Sequence, residues 1–448
     1  MRKVGFGLAL VGIASLSGMV IAAPPTPGTA LNIVEGLTTE IGPRLAGTEA
    51  EARAREWAVA KLKSLGFKNV RIETFDMPVW VRGAETAEIV APFPQKLIVT
   101  ALGNSSATPE AGITAEIVAF NSISALEEAP EASIKGKIVF VTHRMRATQD
   151  GSSYGAFGPV RRFGPSIASR KGAAAIVIRS LGTDMTRFPH TGVQTWAEGV
   201  TPIPAGALSL VDAENLERML ARAKTVTMKL ILTPRNLGKQ QSGNVIAEIP
   251  GKDPAAGIVA IGGHLDSWDL GTGAFDDAAG LAITTAAAKG LLDSKKKPRR
   301  TIRVIWFGAE EVGIFGGNAY LAAHGKEPHA LVAESDFGAD RVWRVDFKLP
   351  DGAKPLADRI KRALAPLGIA SSNEAAGGGP DFGPIARTGV SAIDLQQDGT
   401  RYFDLHHTPN DTFDKIDPVQ LRQNVEAWSI MLDMVANAPE DLLVQKAK

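Results

Sequence analysis

Several short apolar segments in the C-terminal half of the chain run directly into polar loops that carry His, Asp or Glu. The predicted strand and loop pairs are Ile258–Ile261 with His264, Thr301–Trp306 with Glu310 and Glu311, and Ala330–Ala333 with Asp336. A further strand is predicted at Asn244–Ile249, and helices at Ala278–Leu292, Gly316–Ala323 and Leu356–Leu367. Strands alternating with helices favour a mainly parallel sheet flanked by helices. Because sites in such sheets form at the carboxyl ends of the strands, the sequence predicts an α/β fold that gathers these side chains at one edge.

The chain is too long for one simple core, and changes of composition along it indicate two domains. The polar stretches 103–111 and 234–243 enclose short strands and one helix-like run. We therefore predict a β-rich insert at 106–234. The main α/β domain would then comprise residues 23–105 and 235–448.

The N-terminus resembles an export signal. Arg2 and Lys3 precede an apolar run from Val4 to about Ile21, and small residues follow. Cleavage after Ala22 would remove a signal peptide at 1–22. The alternative is an N-terminal membrane anchor. Both interpretations predict that the rest of the protein is exported and lies in the periplasm or outside the cell.

Composition narrows the chemistry further. The chain has no cysteine, so thiol nucleophiles and thiolate ligands are excluded, and any metal must be held by His, Asp and Glu. The net charge is +1, and −1 after loss of Arg2 and Lys3 (+1 − 2). This balance does not favour a nucleic-acid partner or an acidic membrane surface. The basic run Lys295–Arg300 is expected to be a solvated loop.

Paired carboxylates are the strongest chemical signal. Asp276 and Asp277 lie among small apolar residues and would repel each other unless a cation neutralised them. Asp277 also suits a helix N-cap, and the two readings are compatible. Glu310 and Glu311 repeat the pattern, where one could bind metal and the other accept a proton from water. His264, twelve residues before Asp276, could give its second ring N–H to Asp266, which is two residues further on.

His406 and His407 would be an ordinary polar loop by themselves, but beside these carboxylates they read as ligands. The combined set predicts two Zn²⁺ ions and one carboxylate left over as a base. A rival pattern is the G-x-S-x-G match at 151–155, which a serine hydrolase would place directly after a strand. The preceding strand is predicted to end near His143, so a serine hydrolase is disfavoured.

The motifs GGHLDSWD, GAFDDAAG, WFGAEEVG, AESDFG and YFDLHHTPNDT resemble the metal motifs of the di-zinc aminopeptidase and carboxypeptidase family, and within it the carboxypeptidase Q branch. The predicted insert resembles a protease-associated-type domain. The resemblance implies a zinc exopeptidase fold and a secreted enzyme that hydrolyses dipeptides or short peptides. It also implies that the insert narrows access to the site and that the chain forms a homodimer.

The resemblance also assigns roles. It implies His264 and Asp336 on one zinc, Glu311 and His407 on the other, Asp276 bridging both, Glu310 as general base, Asp266 orienting His264, and a cis peptide bond between Asp276 and Asp277.

One position departs from the wider family. Many of its aminopeptidases have a tyrosine just before the last ligand, and this chain has His406 there. The oxyanion donor is therefore open between His406, Tyr402 and a substrate-side group. An aminopeptidase on the same scaffold is the main alternative. A non-catalytic binding protein and a single-zinc acyltransferase or cyclase are remoter ones. His190 and the glycine-rich segment 377–383 have no assigned role.

Overall fold

The computed structural model describes residues 28–443, so the predicted signal peptide lies outside the described residues. The strands in this range are β1 (Lys68–Val81), β2 (Glu85–Ala91), β3 (Gln95–Leu97), β4 (Val99–Ala101), β5 (Ile113–Phe120), β6 (Ile138–Val141), β7 (Ala175–Arg179), β8 (Ala205–Leu208), β9 (Thr227–Leu232), β10 (Arg235–Ile249), β11 (Ile258–His264), β12 (Thr301–Phe307), β13 (His329–Glu334), β14 (Val342–Lys348), β15 (Ala370–Ser371) and β16 (Ala392–Gln397). The α-helices are α1 (Gly28–Gly36), α2 (Glu49–Ser64), α3 (Ile123–Glu128), α4 (Glu131–Ile134), α5 (Ser152–Arg170), α6 (Leu210–Leu220), α7 (Ala279–Asp293), α8 (Phe315–His324), α9 (Lys354–Leu364), α10 (Gly383–Ala386), α11 (Tyr402–Leu405) and α12 (Pro418–Asn437).

The first sheet has eight strands in the order β1-β10-β12-β11-β13-β16-β14-β15. Its centre is parallel, because β12, β11, β13 and β16 run in one direction. The strands β10 and β14 join this centre in antiparallel pairs, and β1 is antiparallel to β10. The mainly parallel mixed sheet confirms the predicted fold class.

Both faces of the central strands are buried, which explains their continuous apolar sequences. Along β12, Ile302, Val304 and Trp306 pack in one cluster with α1, α7 and α12. Ile305 and Phe307 pack in a second cluster with α8 and α10 on the opposite face. Full burial of a side chain of this size contributes roughly 1.5–3 kcal/mol. Packing on both faces therefore fixes the strand ends that carry the site.

The predicted strands and helices of this sheet all form, with small shifts at most of their ends. The clearest difference is β10, predicted at Asn244–Ile249 and observed at Arg235–Ile249. Its first half was expected to be a boundary loop, because its residues are polar and lack an apolar pattern. Residues 235–241 are exposed in the structure, and they pair with β1 alone in an antiparallel ribbon. A strand that buries neither face shows no apolar periodicity.

The second sheet also has eight strands, in the order β3-β2-β9-β5-β6-β7-β8-β4. The chain enters it at Glu85 and returns to the first sheet between Leu232 and Arg235. We call residues 85–232 the second-sheet region. The polar stretch 103–111, where the insert was predicted to start at 106, is a loop between β4 and β5 of this one sheet. The division into two domains stays a prediction, as does the homodimer.

Within residues 28–443, none of the helices combines the length and the apolar character needed to cross a membrane.

Candidate metal centre

The five predicted metal ligands lie together at the carboxyl ends of the central strands. His264 is the last residue of β11, Glu311 lies in the loop after β12, and Asp336 lies two residues after β13. Asp276 is in the turn that leads into α7, and His407 follows α11. Four of them are buried, and the Asp336 side chain is 10% exposed.

Asp276 lies between the two histidines. Its Oδ1 is 3.0 Å from Nε2 of His264, and its Oδ2 is 3.3 Å from Nε2 of His407. The second carboxylate near His264 is Asp336, whose Oδ1 is 3.4 Å from the same Nε2. The second carboxylate near His407 is Glu311, whose Oε2 is 2.8 Å away. The five side chains therefore form two groups of three that share Asp276.

Unsatisfied oxygen atoms indicate where cations fit. Asp276 Oδ2 and Glu311 Oε1 are buried, and neither has a hydrogen-bond partner among the described residues. Asp277 lies close to the first group, but its Oδ2 accepts from the His264 amide at 3.1 Å and its Oδ1 from the Gly280 amide at 3.0 Å. Since buried oxygens are normally paired, the open atoms of Asp276 and Glu311 are the ones suited to metal. The N-cap position of α7 is Ala278 and not Asp277 as the sequence suggested, although Asp277 accepts from the amide of Gly280 in the first turn of this helix.

The charged groups at the centre are crowded, and a bound cation would relieve their repulsion. Burial, together with nearby carboxylates, raises the pKa of Asp336 to about 6 and that of Glu310 well above its usual range. Burial alone would disfavour a charged His407 ring, but Glu311 and Asp276 raise its pKa to about 10. Buried groups of like charge shift in this way when nothing neutralises them, and a bound divalent ion would do so.

A cavity of about 520 Å³ opens onto these ligands. Asp276, Glu310, Glu311, Asp336 and His407 line one side of it. The second-sheet region contributes the lining residues Tyr154, Arg161, Arg162, Phe163, Val193 and Thr195. The metal centre and the second-sheet region thus enclose one space.

Comparison with known proteins identifies the group to which this chain belongs. Residues 244–432 match Peptidase family M28. Carboxypeptidase Q of Bos taurus is 34% identical over 409 residues, which is 91% of this chain and 85% of that protein. The chain belongs to Peptidase family M28. A crystal structure of a Peptidase M28 precursor from Shewanella amazonensis SB2B is 47% identical with a TM-score of 0.91, and covers 94% of this chain and 96% of that one. BSAP, a zinc aminopeptidase from Bacillus subtilis, shares the fold at 21% identity and a TM-score of 0.66, and covers 95% of this chain and 99% of its own.

The family and the peptidase activity predicted from the motifs are therefore confirmed. In this M28 peptidase, the peptide bond between Asp276 and Asp277 is cis, as the resemblance implied. Ser152 and Ser153 of the G-x-S-x-G match lie at the start of α5, and a loop separates that helix from β6. The strand that a serine nucleophile would need directly before it does not precede these residues.

Asp266 of the M28 peptidase has a different contact from the one expected. The Nδ1 atom of His264 lies 2.9 Å from the backbone oxygen of Asp266, whereas the nearest carboxylate oxygen is 3.7 Å away. The Asp266 carboxylate instead accepts from the backbone amides of Glu310 at 3.0 Å and Glu311 at 3.3 Å. Asp266 therefore orients the histidine through its main chain and the glutamate turn through its side chain.

Arg44 anchors the stretch from His264 to Asp276, which we call the first ligand loop. Its guanidinium is fully buried and donates to the carbonyls of Leu265 at 2.5 Å, Thr272 at 2.6 Å and Gly273 at 2.8 Å. Sequence reasoning missed Arg44, because it lies more than 200 residues before the loop that it contacts. An isolated arginine in a loop gives no local signal of such a role.

Asp411 fixes the end of the first ligand loop that carries Asp276. One carboxylate oxygen accepts from the amides of Ala274 at 2.8 Å and Phe275 at 2.6 Å, and the other from that of Asp276 at 3.2 Å. Asp411 is part of the YFDLHHTPNDT motif, so its position four residues after His407 was the available signal.

The second-sheet region anchors the other ligand segment, residues 402–407, which we call the second ligand loop. The His407 carbonyl accepts from the Thr191 amide at 3.1 Å, and His407 Nδ1 lies 3.2 Å from the Thr191 carbonyl. His190 Nδ1 is 2.7 Å from the His406 carbonyl. The Thr183 amide donates a further hydrogen bond of 3.0 Å to the carbonyl of Phe403.

His190 is itself held in place. Its Nε2 is 2.7 Å from Oδ1 of Asp184, and its ring is almost completely buried. A histidine whose two nitrogens both face oxygen acceptors is fixed in orientation. The residue that the sequence left unassigned therefore supports the second ligand loop, and Asp184 is a further residue that sequence reasoning missed.

The two oxyanion candidates both border the cavity. His406 stacks on His407 with ring centroids 3.4 Å apart. Tyr402 packs against Phe337 at 4.6 Å, and burial raises the pKa of its phenol well above the usual range. A phenol that keeps its proton can donate a hydrogen bond. Tyr402 and His406 therefore both stay candidates for the oxyanion donor.

Proposed function

We propose that this M28 peptidase is a di-zinc exopeptidase that hydrolyses dipeptides or short peptides, with Glu310 as general base. The observation that carries the proposal is the position of Asp276, which has one carboxylate oxygen near each histidine. A shared carboxylate between two three-residue groups is the arrangement that a two-metal hydrolase uses.

The donor set suits zinc. His264, Asp276 and Asp336 would hold one ion, and Asp276, Glu311 and His407 the other. Nitrogen and oxygen donors with only three protein ligands per ion are typical of catalytic zinc sites, which keep a position open. Zinc bound there polarises the peptide carbonyl and lowers the pKa of water from ~15.7 to about 7.

The side chains of this site would carry the proton transfers. Glu310 lines the cavity beside Glu311, and Asp266 fixes the backbone of both. Glu310 would take a proton from the attacking water and pass it to the leaving amine. Tyr402 or His406 would donate to the oxygen that gains negative charge.

The cavity supports a small substrate. Residues of the second-sheet region line it together with the metal ligands, and its volume of about 520 Å³ is in the range of small-molecule sites. A folded protein chain would not enter such a space, whereas a dipeptide or short peptide with a free end would.

Replacing Glu310 by Gln tests the base. Because the amide cannot accept the proton, kcat/KM should fall by about 10²–10⁴-fold while two zinc ions per chain remain, as measured by metal analysis. Glu311→Gln is the matched control, because Glu311 is the proposed ligand and not the base. This variant should lose the zinc ion that Glu311 would hold with Asp276 and His407. Near wild-type activity in Glu310→Gln with both ions bound would refute the assignment.

A panel of free, N-blocked and C-blocked dipeptides, with and without a chelator, tests the substrate class. Chelator-sensitive cleavage that requires the free carboxylate supports a carboxypeptidase, and a requirement for both free ends supports a dipeptidase. A requirement for the free amine alone would instead make the enzyme an aminopeptidase on this scaffold. Absence of zinc-dependent cleavage from the whole panel would refute the proposal.

We also propose that the enzyme works outside the cytoplasm, in the periplasm or the medium. The support is the N-terminal sequence, in which Arg2 and Lys3 precede the apolar run that ends near Ile21. N-terminal sequencing of the protein from a periplasmic fraction should show a chain that begins at residue 23. A membrane-bound chain that keeps Arg2 and Lys3 would indicate an anchor instead.

A further inference from the structure

The charged residues of the cavity are distributed unevenly. The carboxylates that line it among the described residues are Asp276, Glu310, Glu311 and Asp336, and all four belong to the proposed metal centre. None is left over to bind the ammonium group of a free N-terminus. The arginines Arg161 and Arg162 both come from α5, the helix through which the second-sheet region lines the cavity.

Arg161 is committed to the protein itself. Its side chain is buried, and its guanidinium donates to the Tyr154 hydroxyl at 2.6 Å and to the carbonyls of Val193 at 3.1 Å and Thr191 at 3.4 Å. These bonds connect α5 to the segment that carries Thr191. Arg161 therefore fixes the cavity wall and has little capacity left for a ligand.

Arg162 is in the opposite situation. Its side chain is exposed, and within residues 28–443 its guanidinium has neither an ion pair nor a side-chain hydrogen bond. Its backbone is nevertheless fixed, because it lies inside α5 and its carbonyl accepts from the Thr195 amide at 3.2 Å. The cavity wall therefore presents an uncommitted cation from a rigid element.

We infer that Arg162 binds the terminal carboxylate of the peptide substrate and makes the enzyme select for a free C-terminus. The inference rests on the proposed exopeptidase function and deepens it. The guanidinium fork matches the two oxygens of a carboxylate, and such charge-assisted pairs are among the strongest hydrogen bonds in proteins. With the scissile bond at the metal centre, the C-terminal residue would span the cavity towards α5. The adjacent Phe163, which is 51% exposed, would offer apolar surface beside it.

The test compares a dipeptide with its C-terminal amide, using zinc-loaded wild-type, Arg162→Ala and Arg162→Lys proteins. The Ala variant should lose about 10- to 100-fold in kcat/KM on the free acid and less than about 3-fold on the amide. The Lys variant should recover part of the loss. Arg170 is an exposed arginine on the same helix that does not line the cavity, so Arg170→Ala should leave kcat/KM unchanged on both substrates. An equal loss on both substrates, or no loss on either, would overturn the inference.

Binding separates this inference from the proposed catalysis. A dipeptide whose peptide carbonyl is replaced by a methylene group cannot be hydrolysed, so its acid and amide forms can be titrated by calorimetry whether or not the protein is active. Wild-type protein should prefer the acid, and Arg162→Ala should bind both forms alike. If wild-type protein cleaves nothing yet shows this preference, only the proposed function fails. If both proteins prefer the acid equally, Arg162 is not the receptor.

Arg162→Gln provides a second variant in case the Ala variant folds poorly. It keeps the length and polarity of the side chain and removes the charge. Melting temperature and zinc content report on folding and on the metal centre, and both should match wild type. A lower melting temperature or a lower zinc content in both variants would assign Arg162 a structural role and overturn the inference.

Discussion

The two ligand loops of the metal centre are supported from different parts of the chain. The first ligand loop is held by Arg44 and Asp411, which lie outside the second-sheet region. The second ligand loop is held by Thr183, His190 and Thr191, which lie within it. Asp276 links the two, since it approaches a histidine of each loop. The second-sheet region is therefore part of the support of the metal centre as well as a wall of the cavity.

Replacing Arg44 by Met should give the largest effect. The variant leaves several buried carbonyls without a donor, so the free energy of unfolding should fall by about 3–5 kcal/mol in urea denaturation. Both zinc ions should be lost, because Asp276 belongs to the loop that Arg44 holds. Arg53→Ala, an exposed arginine on α2, is the control and should stay within about 0.5 kcal/mol of wild type. An Arg44→Met protein with normal stability and two zinc ions would show that the first ligand loop does not need this anchor.

Replacing His190 by Ala should weaken one zinc site only. The second ligand loop loses its bond from the ring to the His406 carbonyl, so zinc affinity at the His407 site should fall by about 10–100-fold. Competitive chelator titration should then show one weakened site and one unchanged site. His143→Phe is a matched control, since His143 is also a buried histidine of the second-sheet region but has no hydrogen bond to the second ligand loop among the described residues. Equal weakening of both sites would contradict separate support of the two loops.

Lowering the pH should reduce the stability of the protein through protonation of His143, a buried histidine of the second-sheet region. Burial, with Arg179 nearby, lowers the pKa of His143 to about 3 in the folded protein, against about 6.5 when unfolded. The unfolded chain therefore binds the extra proton between these values. The contribution of the neutral His143 ring to the free energy of unfolding is fully present above about pH 6.5. It falls by about 1.4 kcal/mol per pH unit as the pH drops towards 3.

The variant His143→Phe removes this contribution, so the difference in unfolding free energy between wild type and variant should change with pH at that slope. Urea denaturation of both proteins between about pH 4 and pH 7 measures it. A constant difference across this range would mean that His143 is not kept neutral by folding.

The sequence predicted the parts of this structure that depend on local pattern. Apolar runs that end three or four residues before His264, Glu310 and Asp336 indicated both the central strands and the ligands, because a parallel sheet brings its strand ends to one edge. The same reasoning failed for residues 235–241, where an exposed ribbon has no apolar face to reveal it. The start of the insert at 106 stays a prediction, since a polar loop inside a sheet has the same composition as a linker.

The supporting contacts could not be predicted in this way. Arg44 is 221 residues from Leu265, and His190 is 216 residues from the His406 carbonyl. Each is a single polar residue whose partner is a backbone atom, and backbone atoms have no sequence signature. Such contacts follow from the assembled fold, whereas a metal ligand follows from residue type and spacing.

The link between the second-sheet region and His407 has a consequence for engineering and divergence. A region that only covered a site could be exchanged as a module to change the range of substrates. Here an exchanged module would also have to keep the hydrogen bonds that the carbonyl and amide of Thr191 and the ring of His190 make with the second ligand loop. Specificity is therefore freer to change at single positions on the exposed face of α5 than by replacement of the whole region.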